Sequence, residues 1–305
     1  MFRWITAALI ASAFVAPAVD AQERKRLGYG ILLNNDVIDG RRDRWRTGGF
    51  QSSRIWGPAW AGTAPGGFGQ LLELRLGAEI ITPEDLRDVS DSDRRYAGAL
   101  SVGLHTHFQR GMTEYAMGGD LVFVGPQTGL DSFQDAVHDF LSMPRPSDAV
   151  RDAQIGNAVN PTAVVEVGHN FSLGADTTLR PFVEARAGNE TLARVGLDLT
   201  FGDFGRGALL VRDNVTGQRY RAIETEWTGF SYVLGADIAH VLDSEFLPDN
   251  DPVSLDKTRE RLRAGVHWRS ETGLSTFFGV TYLGEEFEGQ DGGQFVGSLR
   301  AKLRF

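Results

Sequence analysis

The 305-residue chain carries a formal charge of -9, 37 glycines and no cysteine. An acidic chain without a basic stripe does not read as a nucleic-acid binder, and the missing thiols exclude a disulfide framework and a thiolate metal site. No stretch reaches the roughly 20 apolar residues that a spanning helix requires, so any passage through a membrane must be made by strands.

Met1 to Ala21 reads as a secretory signal peptide: Arg3 gives a positive start, Trp4 to Val15 is apolar, and Val19-Asp20-Ala21 offers small residues before a cleavage point. Residues 22–305 are then expected to form one domain. Stretches of period-two alternation follow at 28–36, 45–55, 70–80, 97–108, 113–124, 162–171, 178–188, 191–202, 217–226, 228–240, 259–270, 273–284 and 294–305. Most are long enough to cross a bilayer when tilted. A bacterial barrel has an even number of strands, and 217–226 has the weakest pattern, so about twelve are expected.

The last stretch is the most informative. Phe295, Gly297, Leu299, Ala301, Leu303 and Phe305 alternate with Val296, Ser298, Arg300, Lys302 and Arg304, which resembles the final strand of bacterial outer-membrane barrels. A strand of a soluble sandwich is the other reading. The fold class expected is all-β: a transmembrane, antiparallel, up-and-down β-barrel with a short helix in an external loop.

That helix is expected from Asp131 to Ser142, where Phe133, Val137, Phe140 and Leu141 have helical spacing, inside an irregular excursion from Gly125 to Pro161. With a periplasmic start, the first strand ends outside at Asn35-Asp36 and the second begins outside near Thr47. The Thr82–Tyr96 loop and the Gly125–Pro161 excursion are external as well. Polar positions of several loops therefore meet on one rim. On the helix, Gln134 and His138 are four residues apart and share a face, so an amide can orient an imidazole or share its water.

Other features have two readings each. Thr82-Pro83-Glu84-Asp85 looks like a helix start, with threonine as cap. Arg41, Arg42, Arg44 and Arg46 form either a lipid-phosphate site or a run of solvated loop charges. His105 and His107 form an H-x-H pair that suits a metal or, more simply, a polar filling of the barrel. No G-x-S-x-G nucleophile elbow occurs.

In order along the chain, Asn35-Asp36, Asp43 to Gly49 as D-R-x-x-T-x-G, Thr82 to Asp85, Asp93 to Gly98, Gly125-Pro126, Gln134 to His138 and Asp152 to Asn157 resemble the outer-membrane lipid A 3'-O-deacylases. The resemblance implies ester hydrolysis on lipid A of lipopolysaccharide, by a monomer in the bacterial outer membrane, with calcium as cofactor. Carried over, His138 is the general base and Gln134 helps place it. Asn35, Asp36 and Thr47 form the cation and oxyanion side, with Asn35 and Asp36 as calcium ligands. Arg46, Gly48 and Arg151 stand where that family usually carries Tyr, Asn and Trp. The alternative from another class is a non-enzymatic barrel, a pore or a surface protein.

Overall fold

Apolar side chains on these strands face outward and charged ones inward, the inverse of a soluble protein. In the computed structural model, which describes residues 24–39 and 43–302, Phe295, Leu299 and Ala301 are exposed while Gln294, Val296, Ser298 and Arg300 are buried. Likewise Leu262 and Val266 are exposed and Arg261, Arg263 and His267 are buried. Hydrocarbon outside and a polar interior dictate this pattern. The signal peptide expected over Met1–Ala21 lies outside the described residues, as do Arg41, Arg42, Leu303 and Phe305.

The strands are β1 (Lys25–Asn35), β2 (Trp45–Gly57), β3 (Leu71–Thr82), β4 (Ala97–Arg110), β5 (Thr113–Val124), β6 (Ala158–His169) and the two-residue β7 (Phe171–Ser172). They continue with β8 (Thr177–Ala187), β9 (Glu190–Phe201), β10 (Leu209–Arg212), β11 (Arg219–Ile223), β12 (Gly229–Ser244), β13 (Thr258–Arg269), β14 (Ser275–Leu283) and β15 (Gln294–Lys302). Each wall strand pairs antiparallel with its sequence neighbours in the wall, β1 also pairs with β15, and β6 with β8. Among the described residues twelve strands thus close a barrel and leave no free edge.

Strands β10 and β11 are not in the wall. They form a separate hairpin that enters from the rim where β1 begins and β15 ends, the periplasmic one in outer-membrane barrels, and occupies the lumen. This is the place of the weak 217–226 stretch. Leu209, Val211, Tyr220, Ala222 and Ile223 of the hairpin pack on Leu32, Ile55, Leu71 and Phe277 of the wall. The wall makes room with glycine: a Cβ on Gly28 would lie 2.2 Å from the Ala222 carbonyl oxygen, and one on Gly30 2.4 Å from that of Arg221.

The hairpin's other side meets buried ions. Arg212 reaches Glu166 at 2.7 Å and Asp198 at 2.8 Å, and Arg263 reaches Asp198 at 2.7 Å. These four charges persist at this depth because each faces an opposite partner. The tip is tied to the wall as well, with the Asn34 amide donating to Asp213 at 3.0 Å and the Gln51 amide to the Arg212 carbonyl at 3.0 Å. Deleting residues 204–226 is therefore expected to turn a silent barrel into a conducting one. Planar-bilayer recordings check this, and a deletion variant that stays silent would show that wall side chains alone close the lumen.

His105 and His107 face the lumen and go to separate carboxylates, Asp120 at 2.9 Å and Glu73 at 2.6 Å. The H-x-H pair is polar filling. The segment after Thr82 is irregular rather than helical. Leu86 is the one large aliphatic residue buried there, and a single anchor does not define a helical face.

Candidate active site outside the barrel wall

Between β5 and β6 the chain makes a short 3-10 turn and then helix α1 (Leu130–Leu141), followed by α2 (Asp148–Asp152). Helix α1 starts and ends at residues in the left-handed conformation, Gly129 and Ser142. Its buried residues are Leu130, Gln134 and His138, whereas Phe133, Val137, Phe140 and Leu141, whose spacing located the helix, are exposed. The helix lies on the outer surface of the wall. Gly98 occupies an outward position of β4, in line with exposed Val102 and Leu104, and a Cβ there would meet Leu130 at 3.0 Å and Thr128 at 2.7 Å.

Opposite the helix, β2 opens irregularly. Trp45 has φ of 53°, uncommon for a residue with a side chain, and a β-bulge falls between Arg46 and Gly48. The extra residue, Thr47, shifts the inward–outward alternation by one position. Arg46 turns into the lumen, where it meets Glu79 at 2.5 Å, Glu286 at 2.9 Å and Glu190 at 3.2 Å. This corrects the reading of Arg46 as part of an external arginine cluster. Arg44 stays at the rim but is committed to Asp39 at 2.9 Å and Glu84 at 3.3 Å, and lies 4.5 Å from the Trp45 ring centre.

Thr47 is sent to the outer face, and a chain of polar contacts starts from it. Its hydroxyl lies 2.9 Å from Asp36 Oδ1 and 3.0 Å from Asp43 Oδ1. Asp43 Oδ2 is 2.8 Å from His138 Nε2, and the other ring nitrogen, Nδ1, is 2.5 Å from the Pro144 carbonyl oxygen. A carbonyl can only accept, so Nδ1 carries a hydrogen and Nε2 is the nitrogen aimed at Asp43. Asp36, Thr47, Gln134 and His138 are all at most 5% exposed.

Of the residues expected from sequence, Asp36, Thr47 and His138 thus meet through Asp43, and Gln134 sits one helical turn before His138. Asn35 is different: its amide nitrogen donates to the Thr47 carbonyl at 3.0 Å and its amide oxygen accepts from Val37 N at 2.8 Å. It clamps the mouth of the β1–β2 loop. Two residues of the site had no role assigned from sequence. Asp43 was visible only as part of the D-R-x-x-T pattern. Tyr96 is 1% exposed, and burial beside the Asp131 carboxylate pushes its hydroxyl above the usual phenol range. Arg151 pairs with Asp148 at 2.5 Å and lies 3.8 Å from Asp135 on α1.

The site is under-satisfied. One threonine hydroxyl has a single hydrogen to give, so only one of the two carboxylates can receive it. Asp36 also accepts from Arg44 N at 3.0 Å, yet its carboxyl is pushed up to about 7, mainly because burial strips it of water and further because Asp43 is near. Gln134 Oε1 and the Tyr96 hydroxyl are buried without a hydrogen-bond partner among the described residues. Those residues contain no group of three or more His, Asp or Glu side chains set as a metal cage. The arrangement is one of hard oxygen donors with excess negative charge beside an imidazole.

The family model described as outer membrane protein LpxR matches residues 4–305. Among solved structures, LpxR from Salmonella typhimurium aligns at a TM-score of 0.73 and 18% identity, covering 91% of this chain and 100% of that one. The transport unit of the autotransporter AIDA-I from Escherichia coli aligns at 0.43 and 13% identity, covering 100% and 97%. No curated protein matches the sequence. With its model matched over nearly the whole sequence, the chain belongs to the LpxR family of outer membrane proteins.

Proposed function

We propose that this chain hydrolyses a 3'-O-linked acyl ester of lipid A in the outer leaflet, at the site between the wall and α1. The observation that carries the reading is the position of the Asp36–Thr47–Asp43–His138 chain on the lipid-facing side of the wall rather than in the lumen. A substrate held in the leaflet can reach it without leaving the membrane.

His138 is the general base. Its Nδ1 hydrogen is held by Pro144 and Nε2 lies against Asp43, so the water must enter between Nε2 and that carboxylate, where Nε2 takes its proton as the water oxygen attacks the ester carbonyl carbon. Asp43, against Nε2, steadies the imidazolium that results. The imidazolium then protonates the departing sugar oxygen as the carbon–oxygen ester bond breaks, giving a free carboxylic acid and a lipid A hydroxyl. The unpartnered Gln134 Oε1 can accept the water's second hydrogen and so hold its lone pair toward the ester.

The donor set fits calcium. That hard cation takes carboxylate and amide oxygens: Asp36 supplies a carboxylate crowded by Asp43, and the Asn35 amide oxygen keeps a second lone pair beside its bond to Val37 N. Calcium, when bound there, supplies positive charge for the oxyanion of the reacting ester. Thr47 lies within reach of both carboxylates at the mouth of the loop and holds the one that receives its hydrogen.

Mass spectrometry of lipid A from cells making the wild-type chain tests the proposal. The expected result is loss of the mass of one 3'-linked acyl group, absent from cells without the protein. Lipid A that keeps every chain in the presence of folded protein and calcium overturns it.

A further inference from the structure

Helix α1 has three faces, and only one is used by the site. At 3.6 residues per turn, Leu130, Gln134 and His138 form the face on the wall. Asp131, Asp135 and Asp139 lie on one flank and Phe133, Val137 and Phe140 on the opposite one. The acidic flank is attended by protein: Arg145 lies 3.6 Å from Asp135 and 3.3 Å from Asp139, and the Gln154 amide lies 3.4 Å from Asp131. The apolar flank is bare, with Phe133 at 61% and Phe140 at 87% exposure. Leu141 continues it, and Val37 and Ile38 on the β1–β2 loop are exposed as well.

We propose that α1 is an interfacial helix whose Phe133–Val137–Phe140 flank is sunk into the hydrocarbon of the outer leaflet. Two observations choose this occupant. A helix held against the outside of a barrel wall at the external rim has one flank toward water and one toward the bilayer, and the charges here are all on one side, as in helices that lie in a membrane interface. The apolar flank also extends the lipid-facing band of the wall, where Leu33, Leu104, Leu121 and Leu299 are exposed. The insertion depth of the helix thereby sets the height of His138 relative to the acyl chains. The proposal does not depend on the deacylase reading, since an interfacial helix would dip into any leaflet.

The chain has no cysteine, so Phe140→Cys, Phe133→Cys and Asp139→Cys each accept a single nitroxide label. The labelled full chains are reconstituted in phosphatidylcholine vesicles, which hold no lipid A, and heat-modifiable gel migration verifies the fold of each. Collision with oxygen, which concentrates in hydrocarbon, is compared with collision with a water-soluble nickel chelate. The expected result is a several-fold higher oxygen-to-nickel ratio at positions 133 and 140 than at 139. Equal ratios at all three positions put the flank in water and overturn the proposal. Exclusion of both probes from 133 and 140, with spin–spin broadening that grows with protein density, overturns it in favour of a second copy of the chain on this face.

Discussion

His138→Ala is expected to lower the rate of lipid A deacylation by roughly 10²–10⁴-fold, the usual contribution of a positioned general base. The loss should fall on kcat rather than KM, because the imidazole moves protons only as the reaction proceeds and does not bind the lipid in its ground state. Asp43→Asn should give a smaller loss, since an amide can still accept from an Nε2 hydrogen but brings no charge to the imidazolium. The order of the two effects separates a base from the residue that positions it. Time courses on purified lipid A in micelles, with heat-modifiable migration as the check on folding, measure both. His138→Ala protein that is folded and retains more than a tenth of the wild-type rate would assign the proton step to another group.

The wall was legible in the sequence because the bilayer imposes period-two alternation on segments such as 259–270, where Arg261, Arg263 and His267 face in and Leu262 and Val266 face out. No comparable local rule marks the lumen hairpin. Residues 217–226 read as a weak strand, and the wall glycines Gly28 and Gly30 that receive it are nearly two hundred residues away. Helix α1 was located by its apolar residues, but those residues turned out to be the outward flank, because the side that packs on the wall carries the site's polar groups. Periodicity gives the axis of such a helix without telling which flank meets protein.

The site itself was only partly legible. Asp36, Thr47, Gln134 and His138 could be set on one rim from topology alone. Asp43 could not be given a role, because its contact with His138 joins residues far apart in sequence across a loop without regular structure. The bulge between Arg46 and Gly48, at the start of β2, is hidden as well. A slip of one residue there exchanges lumen for outer face, and no residue type announces it.

Calcium is expected to stabilise the protein in a pH-dependent way that disappears in Asp36→Asn. Asp36 has an ordinary value of 3.8 and is pushed up to about 7 in the folded chain, chiefly by burial. Between those values the folded state binds more protons than the unfolded one, so stability without calcium falls as pH rises from about 4 to about 7. The loss is on the order of a few kcal/mol, since a tenfold change in a proton-binding constant corresponds to about 1.4 kcal/mol. A cation takes the place of that proton. Calcium should therefore raise the midpoint of heat-modifiable migration strongly at pH 8, where the carboxylate is ionised, and weakly at pH 5, where calcium must displace the proton. Asp36→Asn removes the ionisation and leaves a neutral amide oxygen in place of the charged ligand. Chelated at pH 8, the variant should be at least as stable as wild type, and it should gain little from calcium at either pH. A calcium effect of equal size at pH 5 and pH 8, or one that survives Asp36→Asn, would place the cation elsewhere on the chain.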